Sequence, residues 1–323
     1  MRIQFVHPDV GSGGVGFRVA AVPEPLALEM LAATVPEHDL HILDLRFDPD
    51  LDSQLTSFQP DLVAVTALTN EVYEAQDILR RTKELCPDAF TLVGGYHATL
   101  MPEDFQKPYV DGIALGEGEL VFRPLVEALV AGKGLDGVAD LIWRDADGRF
   151  RRNPPCEADL DMDALPLPRR DLVERYRSEY FFLFDKPDSS IATGRGCPFR
   201  CNFCSVWEFY RKRTRQMSPK RVLREIHSVT TRHVTFVDDN FLMNHRRESA
   251  IADLIKAEGL DMGFSMECRT DSIVRHPELV EKWVDVGLYA VLLGLEGAGD
   301  DMLTSVNKSN TAATNDEAIR ILH

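Results

Sequence analysis

Three thiols stand within eight residues: Cys197-Pro-Phe-Arg-Cys201-Asn-Phe-Cys204. Thiolates are the usual ligands of iron–sulfur clusters. Three protein ligands on a four-iron cluster leave one iron without a protein bond, and that iron can take up a small chelating molecule. Gly194 and Gly196 flank the loop and let the backbone curl closely around an inorganic core. Zinc is the competing chemistry, but zinc sites favour paired C-x2-C units with a second pair elsewhere. Cys86, Cys156 and Cys268 are scattered singly, so there is no second pair. The spacing therefore predicts a [4Fe–4S] cluster on Cys197, Cys201 and Cys204.

Such a loop needs a frame. The sequence predicts strands at 190–193, 233–237, 263–267 and 289–293, with helices between them. Ser218-Pro219 is a helix start, followed by an apolar stripe of Val222, Ile226 and Val229. His276-Pro277 opens another helix, with Leu279, Val280 and Trp283 apolar and Gly287 as its stop. The chain reaches His323 inside a fourth expected helix.

An earlier unit alternates strand and helix from the first residues onward. Strands are expected at 2–6, 41–45, 61–66, 90–94 and 112–115, and helices at 25–34, 71–85 and 122–130. The third strand is almost wholly apolar, as a strand buried on both faces should be. The 71–85 helix puts Val72, Ala75, Leu79 and Thr82 on one face. Glycines mark several turns: Gly11–Gly16, Gly94-Gly95 and Gly116-Glu-Gly-Glu119. This is a doubly wound α/β domain, whose glycine-rich strand ends are where nucleotide-like ligands sit. A hairpin around Asp145-Ala-Asp-Gly148 and a linker rich in Pro and Asp at 154–170 follow. The expected organisation is a Rossmann-like domain over 1–135, hairpin and linker over 136–188, and a second unit of alternating strands and helices over 189–323.

A net charge of −16 argues against broad nucleic-acid binding, which wants a basic face. The start reads as a strand and not as a signal peptide, and no apolar run approaches the ~20 residues of a membrane helix. A cytoplasmic location is expected. Six cysteines in 323 residues do not suggest a disulfide scaffold.

Cys197-x3-Cys201-x2-Cys204, just after a strand, resembles the signature of radical S-adenosylmethionine enzymes. The resemblance implies that the open iron binds the amino and carboxylate groups of the methionine part, and that an electron then cleaves a carbon–sulfur bond to give a 5′-deoxyadenosyl radical. Phe203 matches the aromatic position whose backbone meets adenine. Val237-Asp-Asp-Asn-Phe241 follows the second strand of the unit, so Asp238 or Asp239 is implied as acceptor for the methionine amino group. Arg269 is implied as partner of the carboxylate, and Glu296 as partner of the ribose. These residues stand at carboxyl ends of strands, where barrel-like α/β folds keep their chemistry.

The first unit resembles the cobalamin-binding domain fused ahead of many such enzymes. The resemblance implies that the Thr66, Leu68, Thr69 and Asn70 loop approaches the corrin. It implies that the Gly94-Gly95 strand end admits the nucleotide tail, with His97, Gly116 and Glu117 also among the cobalamin-binding positions. The D-x-H-x-x-G motif is absent, so no histidine ligand is expected from it; His7 and His97 remain candidates near the cofactor. The stretch Ser205–Arg215 supplies aromatics that would shield the cluster, while its basic run reads as a solvated face. It resembles the hopanoid C-3 methylase branch and the anaerobic magnesium-protoporphyrin ester cyclases. The implied function is radical methylation of an unactivated carbon in a hydrophobic, isoprenoid or tetrapyrrole-like substrate. A reductant such as flavodoxin or ferredoxin is implied as partner, with no nucleic acid and no transmembrane segment. Ring formation without methyl transfer, or a non-catalytic cluster- and corrinoid-binding module, are the alternatives. Only four strand–helix units fit before His323, where the family carries six, so the resemblance implies a truncated partial β/α barrel over 189–323.

Overall fold

The computed structural model describes residues 1–11 and 19–323. The glycine-rich turn expected at 11–16 lies, apart from Gly11, outside the described residues. The chain forms two compact units: Met1–Ala20 with Glu24–Leu160 and Leu165–Arg177, and Ala21–Pro23 with Asp161–Ala164 and Ser178–His323.

The first unit runs β1 (Arg2–His7), α1 (Leu26–Thr34), β2 (Asp39–Asp44), α2 (Leu51–Phe58), β3 (Leu62–Thr66) and α3 (Val72–Leu85). It continues through β4 (Phe90–Gly94), α4 (Tyr96–Leu100), β5 (Gly112–Ala114), α5 (Gly118–Val130), β6 (Leu141–Arg144) and β7 (Phe150–Arg152). The strand order is β2-β1-β3-β4-β5-β6-β7, and the first five strands are parallel. The order reverses between β1 and β3, so a crevice opens beyond their carboxyl ends. Alternation along β1 feeds both faces. Phe5 meets Phe122 of α5 at 5.2 Å between ring centres, while Val6 packs with Val63, Val65, Ile78 and Leu79 beside α3. Glu24 and Glu29 are buried with Arg170 and Arg177, which fastens the 3-10 segment Arg170–Glu179 to the start of α1.

The second unit contains β8 (Asp188–Ile191), α6 (Pro219–Ile226), β9 (His233–Phe236), α7 (His245–Glu258), β10 (Gly263–Cys268) and α8 (Thr270–Arg275). It ends with α9 (Pro277–Val284), β11 (Leu288–Leu293), α10 (Asp300–Ser305) and α11 (Ala312–Leu322). Strands β8-β9-β10-β11 are parallel in sequence order. Their helix-facing side chains form an aromatic core in which Phe236 stacks on Phe241 at 4.5 Å and on Phe264 at 5.5 Å, all edged by Trp283. The opposite face is hydroxylated, and Thr235 and Ser265 share a hydrogen bond of 2.8 Å.

The helices begin where their side chains cap them. Ser218 Oγ accepts from the Arg221 amide, and Asn244 Oδ1 accepts from the Arg247 amide. Each expected strand is present within two residues of its expected bounds, and helix α5 starts four residues before its expected start. Met162, inside the stretch read as a linker, is buried in the core of the second unit. Helices α2 and α4 were not foreseen, nor was a two-stranded ribbon in which Gly194–Arg195 pairs antiparallel with Arg215–Gln216 and brackets the cysteines. Among the described residues no helix is long and apolar enough to cross a membrane.

Candidate functional site

In the second unit the cysteine loop leaves β8 at the carboxyl end of the sheet. Carboxylates from the end of β9 tie it down. Asp238 Oδ1 accepts from the Thr193 amide and its Oδ2 from the Thr193 hydroxyl, both at 2.6 Å. Asp239 Oδ2 accepts from the Gly196 amide at 2.9 Å, one residue before Cys197. Burial pushes the Asp238 carboxyl up to about 6 and raises Asp239 as well. Gly196 has φ +81, and a Cβ there would fall on the Arg213 carbonyl oxygen. Only glycine fits that turn.

The far side of the loop is stapled to the end of α10. The Asn202 amide donates to Val306 O at 3.0 Å, and Asn307 Nδ2 donates to Arg200 O at 2.6 Å. The Trp207 indole donates to Cys201 O at 3.2 Å. Cys201 is buried, and Cys197 and Cys204 are half-buried. Burial raises the thiols of Cys197 and Cys204, so as free thiols they hold their protons. Metal charge inverts that balance and favours the thiolates. Among the described residues no three His, Cys, Asp or Glu side chains converge as ligands of one ion. A four-iron cluster asks for something else, one thiolate at each of three corners, and a loop with three thiols and glycine hinges fits it.

The other predicted residues surround this loop. Arg269 is 5% exposed, and its guanidinium lies 3.6 Å from the centre of the Phe199 ring. Its Nε donates to Asp271 Oδ1 and its Nη2 to Lys308 O, both at 2.8 Å. Glu296, at φ +59, pairs with Lys308 Nζ at 3.0 Å. Phe203 is exposed. Asn240 was not singled out from the sequence, although it lies in the same Asp-Asp-Asn run. Its Oδ1 accepts from the Arg269 amide at 3.2 Å, while its buried Nδ2 has no partner among the described residues. A buried donor without an acceptor is costly. Its position beside Arg269 suits a carboxylate-bearing ligand. Lys308 and Phe199 carried no sequence signal.

In the first unit the 66–70 loop and the ends of β4 and β5 meet at the crevice. The Ala67 amide donates to Gly94 O at 2.9 Å, and the His97 amide to Ala67 O at 3.1 Å. Gly95, at φ +99, lies so near that a Cβ would stand 2.9 Å from Thr66 Oγ1. The Thr99 hydroxyl donates to Gly95 O at 2.8 Å and accepts from the Gly116 amide at 2.9 Å. The Glu71 carboxylate accepts from the Leu68 amide at 2.8 Å, and burial raises its pKa. Leu68, Thr69 and Asn70 face outward, while Gly94, Gly95, Gly116 and Glu117 are half-buried. His97 is 9% exposed and held on both ring nitrogens, by Asp104 Oδ2 at 2.8 Å and Thr69 Oγ1 at 3.2 Å. At the end of β1, His7 Nδ1 donates to Pro8 O at 2.9 Å. Burial lowers its pKa to about 4, so the ring is neutral. This backbone cradle, closed to any Cβ at Gly95 and edged by an exposed Leu68, fits a broad ligand such as a corrin with its tail.

Residues 191–323 match the radical SAM superfamily, and residues 14–126 match the B12 binding domain. The chain is 31% identical to an uncharacterized methyltransferase of Pyrococcus horikoshii, over 99% of the chain and 71% of the relative. It is 30% identical to the hopanoid C-3 methylase of Methylococcus capsulatus, over 99% of the chain and 62% of that protein. It is also 30% identical to the anaerobic magnesium-protoporphyrin IX monomethyl ester cyclase of Cereibacter sphaeroides, over 100% of the chain and 55% of the cyclase. Among solved structures, the radical S-adenosylmethionine methyltransferase TsrM from Kitasatospora setae, with cobalamin and a [4Fe–4S] cluster bound, shares the fold. Its TM-score is 0.78 at 19% identity, covering 99% of this chain and 65% of TsrM. The chain thus spans 55 to 71% of the length of these three sequence relatives. It belongs to the radical S-adenosylmethionine enzymes that carry a B12 binding domain, whose cofactors are a [4Fe–4S] cluster, S-adenosylmethionine and cobalamin.

Proposed function

We propose that the protein methylates an unactivated carbon of a hydrophobic substrate, of isoprenoid or tetrapyrrole kind, by radical chemistry. The observation that carries this reading is the gathering of the cysteine loop, Asp239, Asn240 and Arg269 at one end of the second sheet, in a chain that also has a B12 binding domain. When bound, the cluster supplies an electron, S-adenosylmethionine a 5′-deoxyadenosyl radical and a methyl group, and cobalamin the methyl carrier.

The chain's own part is to hold and orient. Cys197, Cys201 and Cys204 hold three irons. Asp238 is committed to Thr193, so Asp239 is the member of the pair left to accept the methionine ammonium. Arg269 and the unpartnered Asn240 Nδ2 receive the carboxylate. Glu296 would meet the ribose, and the backbone at Phe203 the adenine. In the first unit Thr66, Leu68, Thr69 and Asn70 approach the corrin, and Gly94, Gly95, His97, Gly116 and Glu117 line the tail.

The test is anaerobic reconstitution of the full-length protein with iron, sulfide and hydroxocobalamin, followed by addition of methyl-labelled S-adenosylmethionine and a set of isoprenoid and tetrapyrrole acceptors. Reduced by dithionite, it forms 5′-deoxyadenosine, and the label enters product. Cys201→Ala forms none and loses the visible absorption of the cluster; retained cleavage would overturn the ligand set. The likeness to the cyclase supports a second reading, ring formation. That reading is favoured if deoxyadenosine forms while the label stays out of product.

A further inference from the structure

The basic run after the cysteines is not absorbed by the site described above. Between Arg195 and Arg215 the chain carries six cations and one acid, a local charge of +5. The whole chain is at −16, so the remaining residues carry −21. Arg200, Arg211 and Lys212 of this run are exposed. Arg200 and Lys212 make no ion pair among the described residues.

The run is also tied to the thiols. Arg200 lies between Cys197 and Cys201. Arg211 and Lys212 take left-handed backbone at φ +52 and +62, which turns the chain back after the short helix Val206–Phe209. The Lys212 amide donates to Trp207 O at 2.7 Å, and its ammonium lies 6.0 Å from the Trp207 ring centre. Trp207 in turn donates to Cys201 O. The Arg213 carbonyl rests on Gly196, next to Cys197. The exposed cations are therefore one side-chain contact from the loop that bears the thiols.

We propose that this surface, centred on Arg200, Arg211 and Lys212, docks an acidic one-electron carrier protein of the flavin or iron–sulfur class. The proposal rests on the radical reading above, which requires an external electron. Electron transfer falls steeply with distance, so a carrier must land close to the cysteine loop. An acidic carrier is repelled by the −21 on the rest of the chain and attracted only where the sign inverts. The transfer is a single electron: the carrier is oxidised by one, the cluster is reduced by one, and no bond or proton moves.

The experiment uses the reconstituted full-length protein and an acidic flavodoxin as probe. Binding is measured by interferometry, and deoxyadenosine formation is driven either by reduced flavodoxin or by dithionite. Wild type binds flavodoxin and loses about tenfold in affinity between low and roughly 0.3 M salt. The double variant Arg211→Glu, Lys212→Glu loses about tenfold in flavodoxin affinity and in flavodoxin-driven rate, with the dithionite-driven rate unchanged. Should the double variant fail to take up its cluster, Lys212→Gln alone is read, with a loss of about threefold. Flavodoxin affinity unchanged in the variants, or a wild type that binds a DNA duplex more tightly than flavodoxin through the same residues, would overturn the proposal. If dithionite yields no deoxyadenosine from wild type, the radical reading fails separately, and docking is judged by binding alone.

Discussion

The two units build their candidate sites from different materials. In the second unit the site consists of side chains: three thiols, two carboxylates, an arginine and an amide, held by further charges beneath them. In the first it consists mostly of backbone, with glycines and hydroxyls that bring the ends of β3, β4 and β5 close together. A cluster needs particular atoms at particular spacing, whereas a broad corrin needs a surface of the right shape. The second unit should therefore be sensitive to charge, and the first to the addition of single methyl groups.

The largest effect that would break this contrast concerns Glu248. It sits at the start of α7 with no exposure, paired through one oxygen to Arg247 Nη1 at 3.0 Å. Its Oε2 has no partner among the described residues. Arg247 in turn donates to the carbonyls of Met217 and Thr193, the residues that flank the ribbon below the cysteine loop. Burial pushes the Glu248 carboxyl from 4.5 up to about 7. A raised pKa means that folding favours the protonated form. Its contribution is complete below about pH 4.5 and is lost as pH rises to about 7. The loss amounts to about 3 kcal/mol. Urea unfolding across that range should show the decline, and Glu248→Gln should flatten it. An unchanged slope in the variant would mean that the second unit does not depend on its buried charge as argued.

This difference also explains what could be read from the sequence. The cysteine spacing is local, and so is the alternation of β-branched apolar runs with amphipathic helices, so the cysteine motif and both sheets were legible. Asp238 and Asp239 were legible as a pair, but not their division of labour. Only the fold shows Thr193 taking both oxygens of one and Gly196 one oxygen of the other. The ribbon of Gly194–Arg195 with Arg215–Gln216 was missed because each strand is two residues long and carries no period. The basic run was read as a solvated face, and Arg211 and Lys212 are exposed, while the backbone carbonyl of Arg213 lies against Gly196. Lys308 reaches Glu296 across a left-handed Asn307, a tertiary contact with no local signature.

A smaller effect sharpens the other half of the contrast. Gly95→Ala would place a Cβ 2.9 Å from Thr66 Oγ1 and 3.1 Å from the Ala67 backbone, at a φ of +99. Strain and crowding together should cost about 2 kcal/mol. Gly132 is the control: it also has positive φ, at +60, but nothing lies within 4 Å of its added Cβ. Gly132→Ala should cost about 1 kcal/mol, from backbone conformation alone. Urea unfolding measures both, and titration with hydroxocobalamin should show weakened binding in Gly95→Ala only. Equal losses would mean that the approach of Gly95 to the 66–70 loop is not what shapes the site.

The smallest effect separates the two histidines. His97 spends both ring nitrogens inside the protein, Nε2 on the Asp104 carboxylate and Nδ1 on the Thr69 hydroxyl. It is a fastener of the 66–70 loop and has no lone pair left for cobalt. His97→Gln should cost about 1 kcal/mol by urea unfolding, the worth of a hydrogen bond imperfectly replaced. The paramagnetic resonance spectrum of bound cob(II)alamin should stay as in wild type. His7 differs on each point. Its Nδ1 is bound to Pro8, its Nε2 is left as the acceptor nitrogen, and burial keeps the ring neutral down to about pH 4. If either imidazole meets the metal, the nitrogen coupling should vanish in His7→Gln and survive in His97→Gln. A coupling lost with His97 would turn the first unit's site into one of side-chain chemistry too, and the contrast between the units would fail there.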